Sequence, residues 1–222
     1  KVHAYRPIAE LGFSETPLVH DYLWYDKYGG NFFDQDQHRQ PLAVRQGSAT
    51  RFDQYGPHEN PWGHDVKDMD AAVNWLRTRA PEIDQPWALF VNLVKPHFPH
   101  FCSQSLWDRY QGHGDLPEHG IEATTAQHPY SADLRKHFEL DGMPEEHVRG
   151  LRRGYYACVS FIDEQLGRLL SAVETSQLAE NINVIYTSDH GEMLGKFGLW
   201  WKCNLLEDAA RIPCIAAGPD FI

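Results

Sequence analysis

Between Ile185 and Cys203 the chain reads IYTSDHGEMLGKFGLWWKC, an apolar segment running directly into a carboxylate, an imidazole and a glycine, with Lys202 thirteen residues beyond Asp189. In open α/β sheets, side chains that do chemistry gather at the carboxyl ends of strands, where the backbone leaves the core. Asp189 and His190 are placed at such an end. A carboxylate oxygen and an imidazole nitrogen together suit a divalent cation. Gly191 permits the close backbone approach that a bound ion or an oxyanion requires. A plainer role fits the same residues, with Asp189 capping a following helix and His190 an ordinary surface side chain.

The elements that must hold these groups are legible from periodicity. HDVKDMDAAVNWLRTR, His64 to Arg79, carries Val66, Met69, Val73 and Leu76 at helical spacing, with Pro81 just beyond, and predicts a helix. The almost wholly apolar run Trp87 to Val94, closed by Lys95 and Pro96, predicts a strand buried on both faces and hence a parallel sheet. Residues 103–142 are polar, His-rich and broken by Gly and Pro, a long excursion of the kind used as a lid or substrate loop. Pro144 and the pair Glu145–Glu146 open a long helix in which Val148, Leu151, Tyr155, Val159, Ile162, Leu166, Leu169 and Val173 step by three and four. NINVIYTS and RIPCIAAGP follow as two more buried strands. Strand, excursion, helix and strand make an α/β fold with a mostly parallel sheet flanked by helices. Residues 1–62 read as loops with short elements.

Composition narrows the function. The chain has 222 residues, 42% hydrophobic and 13% aromatic, which is globular in character. A formal charge of −11 without any Lys/Arg run argues against nucleic acid as a partner. No apolar run approaches the roughly 20 residues of a membrane span, so the chain reads as soluble, with no compartment indicated beyond a bacterial cytoplasm or periplasm. Cys102, Cys158, Cys203 and Cys214 lie far apart and form no Cys-x-x-Cys pair, so they read as ordinary thiols. The opening Lys-Val-His, without methionine or leader, reads as cut from something longer.

TSDHGEMLGKFGLWWK, together with KVH at the start, ELGF, and KPHFPH after the first apolar run, resembles the sulfatase family of the alkaline phosphatase superfamily in both motif and order. The resemblance spans nearly the whole chain and implies hydrolysis of a sulfate monoester, with a small-molecule or sugar sulfate as substrate. It implies that Asp189 and His190 are ligands of a divalent cation, usually calcium, with His190 standing where many members have asparagine. Lys202 and His97 correspond to the residues that contact the sulfate and assist the leaving oxygen. Lys1 corresponds to a sulfate-binding lysine, and His3 to the histidine that supports the nucleophile. The chemistry needs such groups, because a cation and lysines neutralise the charge that builds on the sulfate oxygens, even in an acidic protein.

The family's nucleophile is a formylglycine made from a Cys/Ser-x-Pro-x-Arg motif, and no such motif occurs in these 222 residues. Paired aspartates that complete the metal site are expected upstream, and the resemblance implies that the family's C-terminal subdomain lies beyond these residues. Residues 1–222 therefore read as the central part of one alkaline phosphatase-like domain, inactive by itself. A phosphonate or phosphate ester hydrolase of the same superfamily, and a non-catalytic binding homologue, remain as alternatives. Trp200 and Trp201 beside Lys202 could stack on a substrate or lie in a core. His113, His119, His128 and His137 lack ligand spacing and read as a solvated loop.

Overall fold

The computed structural model describes residues 12–16, 48–126 and 128–221. They fall in two compact units, one from 12–16, 62–95 and 163–179 and the other from 48–61, 96–162 and 180–221. Helix α1 spans Asp65–Thr78, as its periodicity predicts, with Asp65 and Asp68 in its first turn, where carboxylates complement the helix dipole. In the first unit its Met69 and Val73 pack with Ala172, Val91, Leu93 and Leu169. Asp65 is fully buried, and its carboxylate accepts the backbone N–H groups of Val94 and Lys95, each at 2.8 Å. Burial pushes this carboxyl up, and the two N–H groups oppose the shift.

The run Trp87 to Val94 departs from expectation. It has no strand assignment and pairs with no strand among the described residues. Its residues alternate between half-buried and exposed, with Val91 and Leu93 on the core and Phe90 at 68% exposure. With only one face covered, a period of two replaces burial on both sides.

In the second unit, β1 (Tyr55–Pro57) pairs in parallel with β2 (His100–Cys102), Tyr55 opposite His100. Two short helices, α2 (Gln104–Arg109) and α3 (Pro129–His137), lie within the 103–142 excursion. Helix α4 runs Glu145–Glu174, opening on the predicted acidic pair, and its last turns belong to the first unit. Its seat on β2 is close: a Cβ on Gly154 would lie 2.5 Å from the His100 carbonyl oxygen. Cys158 donates to the Phe101 carbonyl oxygen at 3.3 Å. Val159 is exposed rather than buried, because the covered stripe here runs through Leu151, Ala157, Cys158, Phe161 and Ile162.

Strands β3 (Val184–Thr187) and β4 (Cys214–Ala217) pair antiparallel, Val184 opposite Ala217, and the short helix α5 (Glu207–Ala210) precedes β4. Both strands were expected to be buried. Instead β3 alternates and β4 is exposed throughout, since among the described residues each has only the other as a neighbour. Among the described residues the architecture is nonetheless α/β: one parallel strand pair, an antiparallel ribbon and helices.

Tyr155 on α4 packs edge-on against the His100 ring, and burial, with the Glu192 charge as a smaller cause, pushes its hydroxyl up to about 12. The folded state thus keeps a proton that the unfolded chain gives up near its usual value of 10.0. Stability from this group is complete below pH ~10 and is lost as pH rises toward ~12. Tyr155→Phe should flatten part of that alkaline decline, measured as urea midpoints between pH 9 and 12; an unchanged profile would count against the burial of this hydroxyl.

Candidate active site

The apolar strand β3 ends at Thr187, and the chain turns without forming a helix, so Asp189 caps none. Ser188 Oγ donates to the His190 carbonyl oxygen at 2.8 Å, holding the turn. The Asp189 side chain is 67% exposed, and its Oδ1 lies 3.7 Å from His190 Nε2. His190 Nδ1 lies 2.8 Å from the Gly191 carbonyl oxygen. An amide carbonyl can only accept, so Nδ1 carries a proton, and in the neutral ring Nε2, on the Asp189 side, is the nitrogen with the lone pair. That tautomer suits metal ligation. A Cβ on Gly191 would lie 2.0 Å from the Asp208 carbonyl oxygen and 2.9 Å from that of Arg211. The backbone of α5 and of the residue after it makes this close approach. Gly191 N–H also donates to the Ala209 carbonyl oxygen at 2.8 Å.

The next residues fold back on themselves. Met193 N–H donates to the Trp201 carbonyl oxygen and Gly195 N–H to that of Leu199, both at 2.9 Å. Leu194, Phe197, Trp201 and Cys203 all have positive φ, a conformation that non-glycine residues adopt only where the surroundings enforce it. Met193, Leu199, Trp200 and Trp201 enforce it by burial, packing with Leu134, Phe138, Leu140, Leu151 and Ala209. Both tryptophans are core residues, and Trp201 meets the rings of Phe98 and Phe138 edge-on.

The excursion grips the tip of this loop. Phe197 N–H donates to the His119 carbonyl oxygen at 2.7 Å, the two rings stack, and Arg135 Nη1 donates to the Phe197 carbonyl oxygen at 3.4 Å. Lys196 is engaged elsewhere, on Asp208 Oδ2 at 2.7 Å.

Lys202, leaving the buried Trp201, places its Nζ 2.9 Å from His97 Nε2. His97 Nδ1 lies 2.7 Å from the Phe98 carbonyl oxygen, so by the same exclusion Nδ1 carries the proton and Nε2 accepts from the ammonium. The rings of His97 and His190 are 6.0 Å apart. Asp189, His190, His97 and Lys202 therefore form one continuous cluster, although their sequence positions are widely separated. Lys1 and His3 lie outside the described residues.

Two residues escaped sequence reasoning. Glu192 accepts the backbone N–H groups of Leu194 and Trp201, and burial pushes its carboxyl up to about 7, against those N–H groups and the charge of Lys202. Its position after Asp-His-Gly was the only available signal. Arg51 holds its guanidinium 5.7 Å from the centroid of the Phe98 ring and 5.5 Å from that of Trp201. Nothing in its sequence neighbourhood marks it. No group of three or more His, Cys, Asp or Glu side chains that could hold a metal occurs among the described residues. His119 stacks on Phe197, His128 caps α3 by accepting from Tyr130 N–H, and His137 and His113 pack edge-on against Phe138 and Tyr110. The four cysteines are free thiols. Asp189 and His190 fit a cation as a partial ligand set, one exposed carboxylate and one imidazole whose Nε2 lies on the carboxylate's side.

The sulfatase family model matches residues 20–221, and the chain belongs to the sulfatase family. It is 35% identical over 146 residues to a choline-sulfatase of Rhizobium meliloti (strain 1021), covering 64% of this chain and 28% of that protein. It is 40% identical over 147 residues to the iduronate 2-sulfatase of Mus musculus, covering 60% and 27%. Among solved structures, a phosphonate monoester hydrolase from Silicibacter pomeroyi is similar in fold, with a TM-score of 0.60 and 20% identity over 81% of this chain and 39% of that one. A protein solved in complex with its substrate, D-glucosamine-2-N,6-O-disulfate, is similar at a TM-score of 0.55 and 19% identity, over 72% and 44%. The chain spans about a third of the length of the curated relatives it matches. Among the described residues no helix is long and apolar enough to cross a membrane.

Because the Gly191 Cβ site is filled by backbone rather than by a movable side chain, Gly191→Ala should destabilise the protein by about 1–3 kcal/mol. A urea titration followed by far-UV circular dichroism reads this; an unchanged midpoint would contradict the packing of Gly191 on the backbone of Asp208 and Arg211.

Proposed function

We propose that this chain supplies the leaving-group side of an active centre that hydrolyses sulfate monoesters. The observation that carries the reading is the hydrogen bond between Lys202 Nζ and His97 Nε2, which ties together two residues 105 positions apart that the family motifs assign to one task. An ammonium has three protons to donate. While donating to His97, the ammonium can also donate to a sulfate oxygen or the bridging oxygen. As the sulfur–oxygen bond to the alcohol breaks, the electron pair stays on the departing oxygen, and Lys202 passes it a proton. His97, neutral at Nε2, holds the resulting amine in place and limits its rotation. General acids of this kind typically contribute about 10²–10⁴-fold.

Asp189 and His190 would hold a divalent cation, calcium by the family resemblance, as two of its ligands. When bound, it would neutralise charge developing on the sulfate oxygens. Lys1 and His3 are assigned, on the same basis, to sulfate binding and to support of the nucleophile. The nucleophile, a formylglycine in this reading, comes from outside these 222 residues, since no Cys/Ser-x-Pro-x-Arg motif occurs within them. The substrate is a small-molecule or sugar sulfate. A phosphonate or phosphate ester remains the alternative within the superfamily, and parallel assays on phenyl sulfate and phenyl phosphonate decide between them.

In the intact protein, Lys202→Ala should lower kcat/KM by roughly 10²–10³ for a sulfate ester with a poor leaving group, the loss expected for one such transition-state contact. A nitrophenyl sulfate, whose leaving group needs no proton, should lose much less. Equal losses on both would sink the assignment of Lys202 as the acid. Residues 1–222 alone should not turn over an aryl sulfate, with or without calcium; turnover that survives removal of contaminating enzymes would place a nucleophile among them.

A further inference from the structure

We propose that Glu192 is a positioning residue for Lys202, acting through the backbone of the loop between them; the inference rests on the reading of Lys202 as the leaving-group acid. One oxygen of Glu192, Oε1, accepts the N–H groups of both Leu194 and Trp201. These two amides stand at opposite ends of the folded-back segment, where Met193 N–H also donates to the Trp201 carbonyl oxygen. A single atom therefore fastens the outgoing and returning strands of the loop at the residue before Lys202.

The conformations at the fastening explain why it is needed. Leu194 and Trp201 have φ of 48° and 63°, in the left-handed region that costs a non-glycine residue free energy. Trp201 is only 9% exposed, so an N–H of this residue without the carboxylate would have little access to water. Hydrophobic packing holds the indoles of Trp200 and Trp201, the Met193 N–H engages the Trp201 carbonyl oxygen, and the carboxylate adds the acceptor for the Trp201 N–H. The carboxylate sets the direction of the Trp201 peptide, and with it the direction in which the Lys202 side chain starts toward His97. Lys196, the other lysine of the segment, is bound to Asp208 and cannot serve as a substitute.

A residue that acts in this way leaves a signature that a general structural role does not. Four variants of the intact protein are compared: Glu192→Ala, Glu192→Gln, Lys202→Ala and the Glu192→Ala, Lys202→Ala double variant. Each is assayed on aryl sulfates graded by leaving-group pKa. Hydrogen exchange of the 193–203 segment, read by mass spectrometry, supplies a measurement independent of turnover. Glu192→Ala should lower kcat by roughly 10²-fold for poor leaving groups, the loss that follows from misplacing a reacting group by about 1 Å. It should have little effect on nitrophenyl sulfate, or on KM, and the 193–203 amides should exchange faster while those of α4 do not. Glu192→Gln keeps an acceptor oxygen and should restore most of the activity and protection. The double variant should be no more sensitive to leaving group than Lys202→Ala.

A steep leaving-group dependence for Lys202→Ala with a flat loss for Glu192→Ala overturns this inference and leaves the Lys202 assignment intact. Failure of Glu192→Gln to restore activity overturns it too, since charge rather than the acceptor would then matter. A flat profile for Lys202→Ala itself sinks both, whatever the exchange data give.

Discussion

The burial of Trp200 and Trp201 is the constraint on which the rest of the second unit depends. These side chains are almost fully removed from water and contact Phe98, Phe138 and the aliphatic core around Leu134 and Leu151. Truncating a buried tryptophan typically costs about 3–5 kcal/mol, whereas a single hydrogen bond such as that between Lys202 and His97 contributes about 0.5–1.5 kcal/mol net. Packing therefore decides where the loop lies, and the hydrogen bond only selects among the arrangements of the lysine that packing allows. The positive φ angles of Leu194, Phe197 and Trp201 are affordable for the same reason.

This order of energies also explains how chemistry-bearing groups come to lie next to greasy ones. Lys202 follows Trp201 directly, His97 precedes Phe98 directly, and the Trp201 and Phe98 rings are in edge contact. Each polar side chain is thus carried on a neighbour that packs in or against the core. Asp189 and His190 arrive differently, at the end of β3, where Gly191 lets the chain press against the backbone at Asp208 and Arg211. A sheet end and a core loop are brought to one place by two unrelated packing events.

Much of this was legible from residue types and spacing. The helices over 65–78 and 145–174 follow from apolar periodicity, because a helix with one buried stripe must repeat near 3.6. The motif residues Asp189, His190, His97 and Lys202 also come together as one cluster. What the sequence misjudged was burial in the strands. Apolar runs such as Trp87 to Val94 look alike whether one face or two are covered, and coverage depends on neighbours that no local pattern records. Gly191 was similarly ambiguous, since a missing side chain does not say what fills its place. Glu192 and Arg51 could not be found in this way, because their partners are backbone amides and ring faces rather than motif residues.

The grip of His119 and Arg135 on the N–H and the carbonyl oxygen of Phe197 makes the excursion and the lysine loop a single heritable piece. Residues 103–142 occupy a stretch where surface loops ordinarily diverge without penalty, yet two of their positions form the seat for a backbone segment that leads to Lys202. Transplanting that excursion alone from another sulfatase would bring a seat shaped for a different guest. The natural cassette for recombination is 103–142 together with 192–202, and diversity in the excursion has its freest scope between and beyond the two anchor points rather than at them.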